Sequence, residues 1–377
     1  MAHFVECTYQ PTGESYQAFV PSSIGADFQF SQETIDKFKR LDDSIAKLQG
    51  ADFEHINHYL TRFSAGGTSL RDGRAVSRKR LALIGAEVPR VDMDARVLLM
   101  HSAATKEVVE IGCELDTFTI DTIKKMSAPL KNDKGSAGKF RGGASWIGGT
   151  NPVDAYYVCP PVEEVEPLML ALCDFINRDD IPASLQAAVA HVQLCIIHPL
   201  SDGNGRTARA LVEVILRRRG IVTTIAPPAF LYRLVLEDND YVGAIKKFEM
   251  DEHQLLYDFW IEANEWAIET IKTLKNNKMA FISDCKAKLA KVGLADNEQV
   301  QIMAAGLFTQ PILTIDLVAK SFDCSEDEAN MQLSCLVQAG ICQQHKLREP
   351  KDLAIWDAPK VFERLADFDK QLFTIKS

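Results

Sequence analysis

No stretch of about eighteen uninterrupted apolar residues occurs in the sequence, so no membrane-spanning helix is expected. The opening Met1-Ala-His-Phe-Val-Glu-Cys7 has neither the basic n-region nor the apolar h-region that secretion requires. A Cys-x-x-Cys pair is missing too. The nine cysteines, at 7, 113, 159, 173, 195, 285, 324, 335 and 342, are odd in number and scattered, which argues against a zinc site and a disulfide framework. Internal repeats and low-complexity segments are also lacking. Together these absences predict a cytoplasmic protein with reduced cysteines and no membrane partner. Positive charge is not in excess: the formal net charge of -10 argues against a surface built throughout to grip nucleic acid. What is present, 46% hydrophobic and 25% charged residues, is the balance of a soluble globular protein. A chain of 377 residues exceeds one ordinary core, so two or three domains are expected.

Helical periodicity opens the chain. Within 31–48, Ile35, Phe38, Leu41, Ile45 and Leu48 recur at the three- and four-residue spacing of one buried face, and Gly50 ends the run. A second helical unit is expected over Arg71 to Glu87. Residues 141–161 change character: Gly-Gly and Asn-Pro punctuate Ser145-Trp-Ile147 and Ala155-Tyr-Tyr-Val158, which reads as a β-hairpin closed by prolines. Helices resume from Glu163 to about Lys278. The last unit reads as helices at Val300–Leu307 and Ile315–Phe322, then a Ser325-Glu-Asp-Glu328 capping box opening a helix to Ala339. Two β-prone pieces follow, Ile341–His345 and Leu353–Trp356. Three helices and a two-stranded wing is the winged-helix order. The expected organisation is mainly α: a helical amino-terminal region at 1–110, a helical bundle with one hairpin at 111–290, and a winged helix at 291–377.

The chemistry concentrates in His198-Pro-Leu-Ser-Asp-Gly-Asn-Gly-Arg-Thr-Ala-Arg209, between two helices with apolar faces. Pro199 and Gly203 break the first helix, and Asn204-Gly205 begins the second. A glycine-rich turn feeding a helix amino terminus is an anion site, because free N–H groups and the positive helix end favour phosphate. Arg206 and Arg209, three apart on one face, are placed to neutralise a polyphosphate. Asp202 is the hard oxygen ligand that Mg²⁺ accepts while keeping waters and substrate phosphates. His198 alone there has an ordinary pKa near neutrality, so it suits proton abstraction from a hydroxyl. A plain helix-turn-helix with an Asn-Gly turn explains any one of these residues but not all of them in this order. His191, two turns up the same helix, reads as a core histidine, and Arg217-Arg-Arg-Gly220 as basic residues at a helix carboxy terminus.

At these positions the sequence resembles the Fic family, whose signature is His-Pro-Phe-x-(Asp/Glu)-Gly-Asn-Gly-Arg-x-x-Arg; the one departure is Leu200 in place of Phe, at a position expected to pack into the core. The resemblance covers about residues 110 to 290. It implies a Fic helical bundle and a protein adenylyltransferase that moves AMP from Mg-ATP to a Tyr, Thr or Ser hydroxyl of a target protein, and also modifies itself. His198 resembles the general base and Asp202 the Mg²⁺ ligand. Gly203, Asn204 and Gly205 match the anion hole for the phosphates, and Arg206 and Arg209 match the phosphate-binding arginines. Trp146, Ile147 and Gly148 look like the flap that pins an extended target segment by strand-like hydrogen bonds.

Other readings remain open at this level: a winged-helix regulator with a nucleotide-sensing Fic core, or a phosphotransferase like Doc. Doc-like members carry Lys where Gly205 stands, which favours AMP transfer here. DNA binding by the winged helix is disfavoured, since Ser325 to Ala339 carries Glu326, Asp327 and Glu328 and no Lys or Arg. A homodimer is among the partners the resemblance allows. Many Fic proteins are restrained by a helix bearing (Ser/Thr)-x-x-x-Glu-(Gly/Asn), and no strict match occurs. The nearest segment by position, Thr61–Thr68, has Gly66 before Gly67. Gly66 is therefore a candidate regulatory position where an inhibitory Glu is replaced, with a plain Gly-Gly loop as the alternative.

Overall fold

The computed structural model describes residues 2–50, 53, 56, 76–89, 93–114, 116–130, 138–234, 240–249, 252–348, 350 and 352–374. The chain divides into two compact units, Met1–Gly50 with Ala103–Ile268, and Ala51–Ser102 with Glu269–Ser377. These divisions fall elsewhere than the cuts expected after residues 110 and 290. Among the described residues no helix is long and apolar enough to cross a membrane.

The first unit does not begin as the helical region expected for 1–110. Strands β1 (His3–Tyr9) and β2 (Glu14–Val20) pair antiparallel, from His3 opposite Val20 to Tyr9 opposite Glu14. Half-buried Val5, Cys7 and Tyr9 alternate with exposed neighbours, which is the period of a strand. Gly13 closes the turn at φ 76°, its N–H donating to the Tyr9 carbonyl at 2.8 Å. Helix α1 (Gln32–Ala46) follows, capped by Ser31, with Phe38, Leu41 and Ile45 buried as the periodicity predicts.

The centre of this unit is a helix pair. In α2 (Ala183–Ile197) every residue but Cys195 is buried, because apolar and small residues lie on all sides and the buried Gln186 and Gln193 side chains donate to backbone carbonyls. This helix packs against α3 (Asn204–Arg218), whose Ala208, Leu211, Val214 and Ile215 are buried. The amino terminus of α2 is closed by α1: the Asp42 carboxylate accepts the Ala183 and Ser184 N–H groups at 2.8 and 2.9 Å. Burial raises the pKa of Asp42, opposed by its bonds from Ser184 and Ala183. This contact and the bonds of Gln49 with the backbone of Thr223, Thr224 and Ile225 join residues 1–50 to the bundle. Two short strands, β3 (Trp146–Ile147) and β4 (Tyr157–Val158), form the expected hairpin.

In the second unit, α4 (Glu298–Gly306), β5 (Ile312–Leu313), α5 (Ile315–Phe322), α6 (Glu326–Gln338), β6 (Gln343–Lys346) and β7 (Ala354–Asp357) follow in order. The three strands make an antiparallel sheet in the order β5-β7-β6. The Ser325–Glu328 capping box forms as read from the sequence. Strand β5 has no counterpart in the sequence reading, since two residues are too few to show a period. Ile312 and Ile355 from this sheet are buried with Ala82 of the helix Arg78–Gly85 and with Ala86 and Val88 just after it.

Candidate active site

Helix α2 ends on His198, whose backbone is left-handed at φ 50° and ψ 54°. Few residues other than Gly adopt that conformation, and here it turns the chain sharply out of the helix. The His198 Nδ1 lies 3.2 Å from the Cys195 carbonyl. A carbonyl only accepts, so Nδ1 carries the proton and Nε2 keeps its lone pair, as a general base requires. Burial lowers the His198 pKa; the Cys195 bond raises it, and the charge of Arg141 lowers it further.

Leu200 is fully buried, so the residue that stands in place of Phe still anchors the loop in the core. Asn204 clasps the same residue from both sides: its Oδ1 accepts the Leu200 N–H at 2.8 Å and its Nδ2 donates to the Leu200 carbonyl at 2.7 Å. The Asn204 side chain is thus committed to shaping the turn, and only its backbone remains for a phosphate. Asn204→Ala is expected to strand a buried N–H and destabilise the first unit by about 1–3 kcal/mol, read as a lowered denaturation midpoint.

Gly203 stands at the start of α3 at φ 85°, with no side-chain cap on the helix. Helix α2 differs, since Asp42 closes its start by accepting two N–H groups, whereas α3 has no side-chain cap among the described residues. The first-turn N–H groups of a helix left in this way are donors for an anion. A methyl on Gly205 would press on Arg209 Nη1 at 3.3 Å, so this position is small beside an arginine. Asp202 and Arg206 are an ion pair, Nη2 to Oδ1 and Oδ2 at 2.9 and 3.0 Å. The expected metal ligand and one expected phosphate clamp therefore hold each other in this structure. Among the described residues no three His, Cys, Asp or Glu side chains gather to hold an ion. Asp202 fits Mg²⁺ only in the manner expected for it, as one carboxylate beside waters and substrate phosphates.

Trp146 is half-buried and Ile147 exposed; they pair with Val158 and Tyr157 in a two-stranded sheet. Gly148 and Gly149, at φ 73° and 68°, start the hairpin loop, which Asp154 organises by accepting the Thr150 and Asn151 N–H groups. The feet of the hairpin are tied to the loop after α2. The Tyr157 hydroxyl donates to the Ile196 carbonyl at 3.0 Å. Buried Arg141 donates to the carbonyls of His198 at 2.9 Å, Gly143 at 2.8 Å and Pro160 at 2.5 Å, and its N–H donates to the Pro199 carbonyl. Sequence reasoning missed Arg141; a lone arginine ahead of Gly142-Gly143 was the available signal.

His191 is buried edge-on against Trp260, as a core histidine. The arginines closing α3 are used internally. Arg217 pairs with Glu213, Arg218 donates to the Asp116 carbonyl, and Arg219 donates to the carbonyls of Asp179 and Ile181. Gly66 lies outside the described residues.

Residues 117–216 match the Fic/DOC family model. The chain is similar to protein adenylyltransferase fic-1 of Caenorhabditis elegans, 26% identical over 204 residues that make up 51% of this chain and 37% of that protein. The Caenorhabditis briggsae protein of the same name is 30% identical over 179 residues, 45% of this chain and 33% of its own length. The chain thus spans well under half the length of these curated relatives. Among solved structures, a Fic family protein from Desulfovibrio desulfuricans G20 shares the fold with a TM-score of 0.51 at 14% identity, over 88% of this chain and 97% of that one. The hairpin, His198 and the turn to Arg209 all fall within the matched span, and the chain carries a Fic/DOC-family domain at residues 117–216.

Proposed function

We propose that the chain is a protein adenylyltransferase that transfers AMP from Mg-ATP to a hydroxyl side chain of a target protein and of its own copies. The observation that carries this reading is the amino terminus of α3, which has no side-chain cap among the described residues and starts six residues after His198. The helix donors and Gly203-Asn204-Gly205 receive the phosphates, and Arg206 and Arg209 neutralise them once Arg206 leaves Asp202. His198 Nε2 takes the proton of the incoming hydroxyl. That oxygen forms a bond to the α-phosphorus while the bond from the α-phosphorus to the bridging oxygen breaks, releasing pyrophosphate. Asp202 would hold Mg²⁺, which would supply neutralisation of charge on the phosphate oxygens. The hairpin edge at Trp146, Ile147 and Gly148 receives the target segment by strand addition. The small residue at 205 and the names of the relatives, protein adenylyltransferase fic-1, support AMP transfer over phosphotransfer.

The second unit's order of helix, strand, two helices and two strands supports a winged helix, for which we propose a protein-contact role: α6 presents Met331 and Val337 to solvent and has no Lys or Arg for phosphate contacts. The cytoplasmic setting belongs to this proposal and is supported by nine free cysteines. Incubation with α-labelled and γ-labelled ATP in separate tubes tests it. Protein label from the α position alone supports AMP transfer; label from γ alone identifies a phosphotransferase, and label from neither leaves a nucleotide-sensing regulator.

The lowered His198 pKa sets a pH expectation. A base must be neutral to accept a proton, so kcat/KM of the free enzyme should hold as pH falls through 6.5, the ordinary imidazole value, and decline only below it. A pH–rate profile whose acid limb lies above that value contradicts the assignment.

A further inference from the structure

We infer that Arg141 is the positioning residue that sets the target-binding hairpin against the base, a role that rests on the transferase reading above. Its guanidinium meets three carbonyls at once: Gly143 before β3, Pro160 after β4, and His198 itself. Both feet of the hairpin are thus fixed to the residue that must meet the acceptor hydroxyl. The bond from the Arg141 N–H to Pro199 adds a fourth tie at the exit of the same turn. A planar fork with five donors suits this arrangement, and a lysine ammonium on a flexible stem does not reproduce it.

The guanidinium is buried and its hydrogen-bond partners here are neutral carbonyls rather than a paired carboxylate, and the desolvation cost of burial lowers its pKa. Such a cost fits a geometric role, since an apolar side chain would fill the volume more cheaply. His198 is also held in the left-handed region, where an unsupported residue would relax. The Tyr157 hydroxyl makes the same connection from the other strand, to the Ile196 carbonyl, so the hairpin and the end of α2 are joined at two places. By contrast, the phosphate-binding turn is shaped separately by Asn204 on Leu200. Loosening the hairpin should therefore harm delivery of the protein hydroxyl more than handling of ATP.

The test follows the partition of turnovers. Water attacking the α-phosphorus gives free AMP and pyrophosphate, whereas a protein hydroxyl gives AMP-protein and pyrophosphate. The ratio of protein label to pyrophosphate released is therefore independent of how much enzyme is folded. Purified wild type, Arg141→Lys and Tyr157→Phe are compared with α-labelled ATP, Mg²⁺ and an excess of the His198→Ala chain as acceptor protein. The expected result is a label-to-pyrophosphate ratio at least tenfold lower in Arg141→Lys and severalfold lower in Tyr157→Phe. An unchanged ratio in variants that still release pyrophosphate overturns the inference and leaves Arg141 a structural residue. Should Arg141→Lys fail to fold, the ratio in Tyr157→Phe decides. A wild-type chain that labels neither itself nor the acceptor overturns the transferase reading and this inference with it, whereas labelling by wild type with unchanged variants overturns the inference alone.

Discussion

His198→Ala is expected to lower AMP transfer by about 10²–10⁴-fold while ATP binding persists. In the proposed reaction the imidazole acts on the acceptor, because Nδ1 is engaged by the Cys195 carbonyl and Nε2 is the atom proposed to take the hydroxyl proton. The groups proposed to hold triphosphate sit further along the chain, on the turn clasped by Asn204 and on the first turns of α3. Isothermal titration with Mg-ATP alongside α-label transfer separates the two roles. Transfer at the wild-type rate in the variant removes His198 as the base. Loss of ATP affinity in parallel with the rate assigns it instead to the nucleotide site.

Asp202→Ala should produce the second large effect, a loss of several kcal/mol of charge stabilisation, roughly a hundredfold or more in rate. Two consequences separate this from general damage. The dependence of ATP binding on Mg²⁺ should disappear, because the carboxylate proposed to hold the ion is gone. Arg206, now released from its ion pair, should retain metal-free affinity for the phosphates. Titration of ATP binding against Mg²⁺ in both proteins checks this, and an unchanged Mg²⁺ dependence takes Asp202 out of the metal site. The ion pair bears on the proposal, since Asp202 and Arg206 would have to separate for each to serve its proposed partner.

The helical elements were legible because their signals are local. The face of α1, the largely apolar α2, the capping box at Ser325 and the interrupted segment between His198 and Asn204 each declare themselves within a turn or two of chain. The amino-terminal strand pair was missed because its alternation spans only β1 and was overshadowed by the longer helical period that follows. Asn204 shows a subtler limit. Its presence in the motif was evident, yet its side chain serves Leu200 rather than a ligand, and that choice depends on loop curvature set by the left-handed His198.

The sequence by itself determined the order of chemistry-bearing residues and the helix break that exposes donors, because glycine, proline and helical period act over a few neighbouring positions. Only the tertiary structure decided that Asp42 closes α2 from a distant helix, and that Arg141 ties the hairpin to His198. It alone paired Asp202 with Arg206 as well. The reason is common to the two long-range contacts. The partners of Asp42 and Arg141 are backbone N–H and carbonyl groups, which every residue carries, so no residue type in the sequence marks where the long-range bond will land.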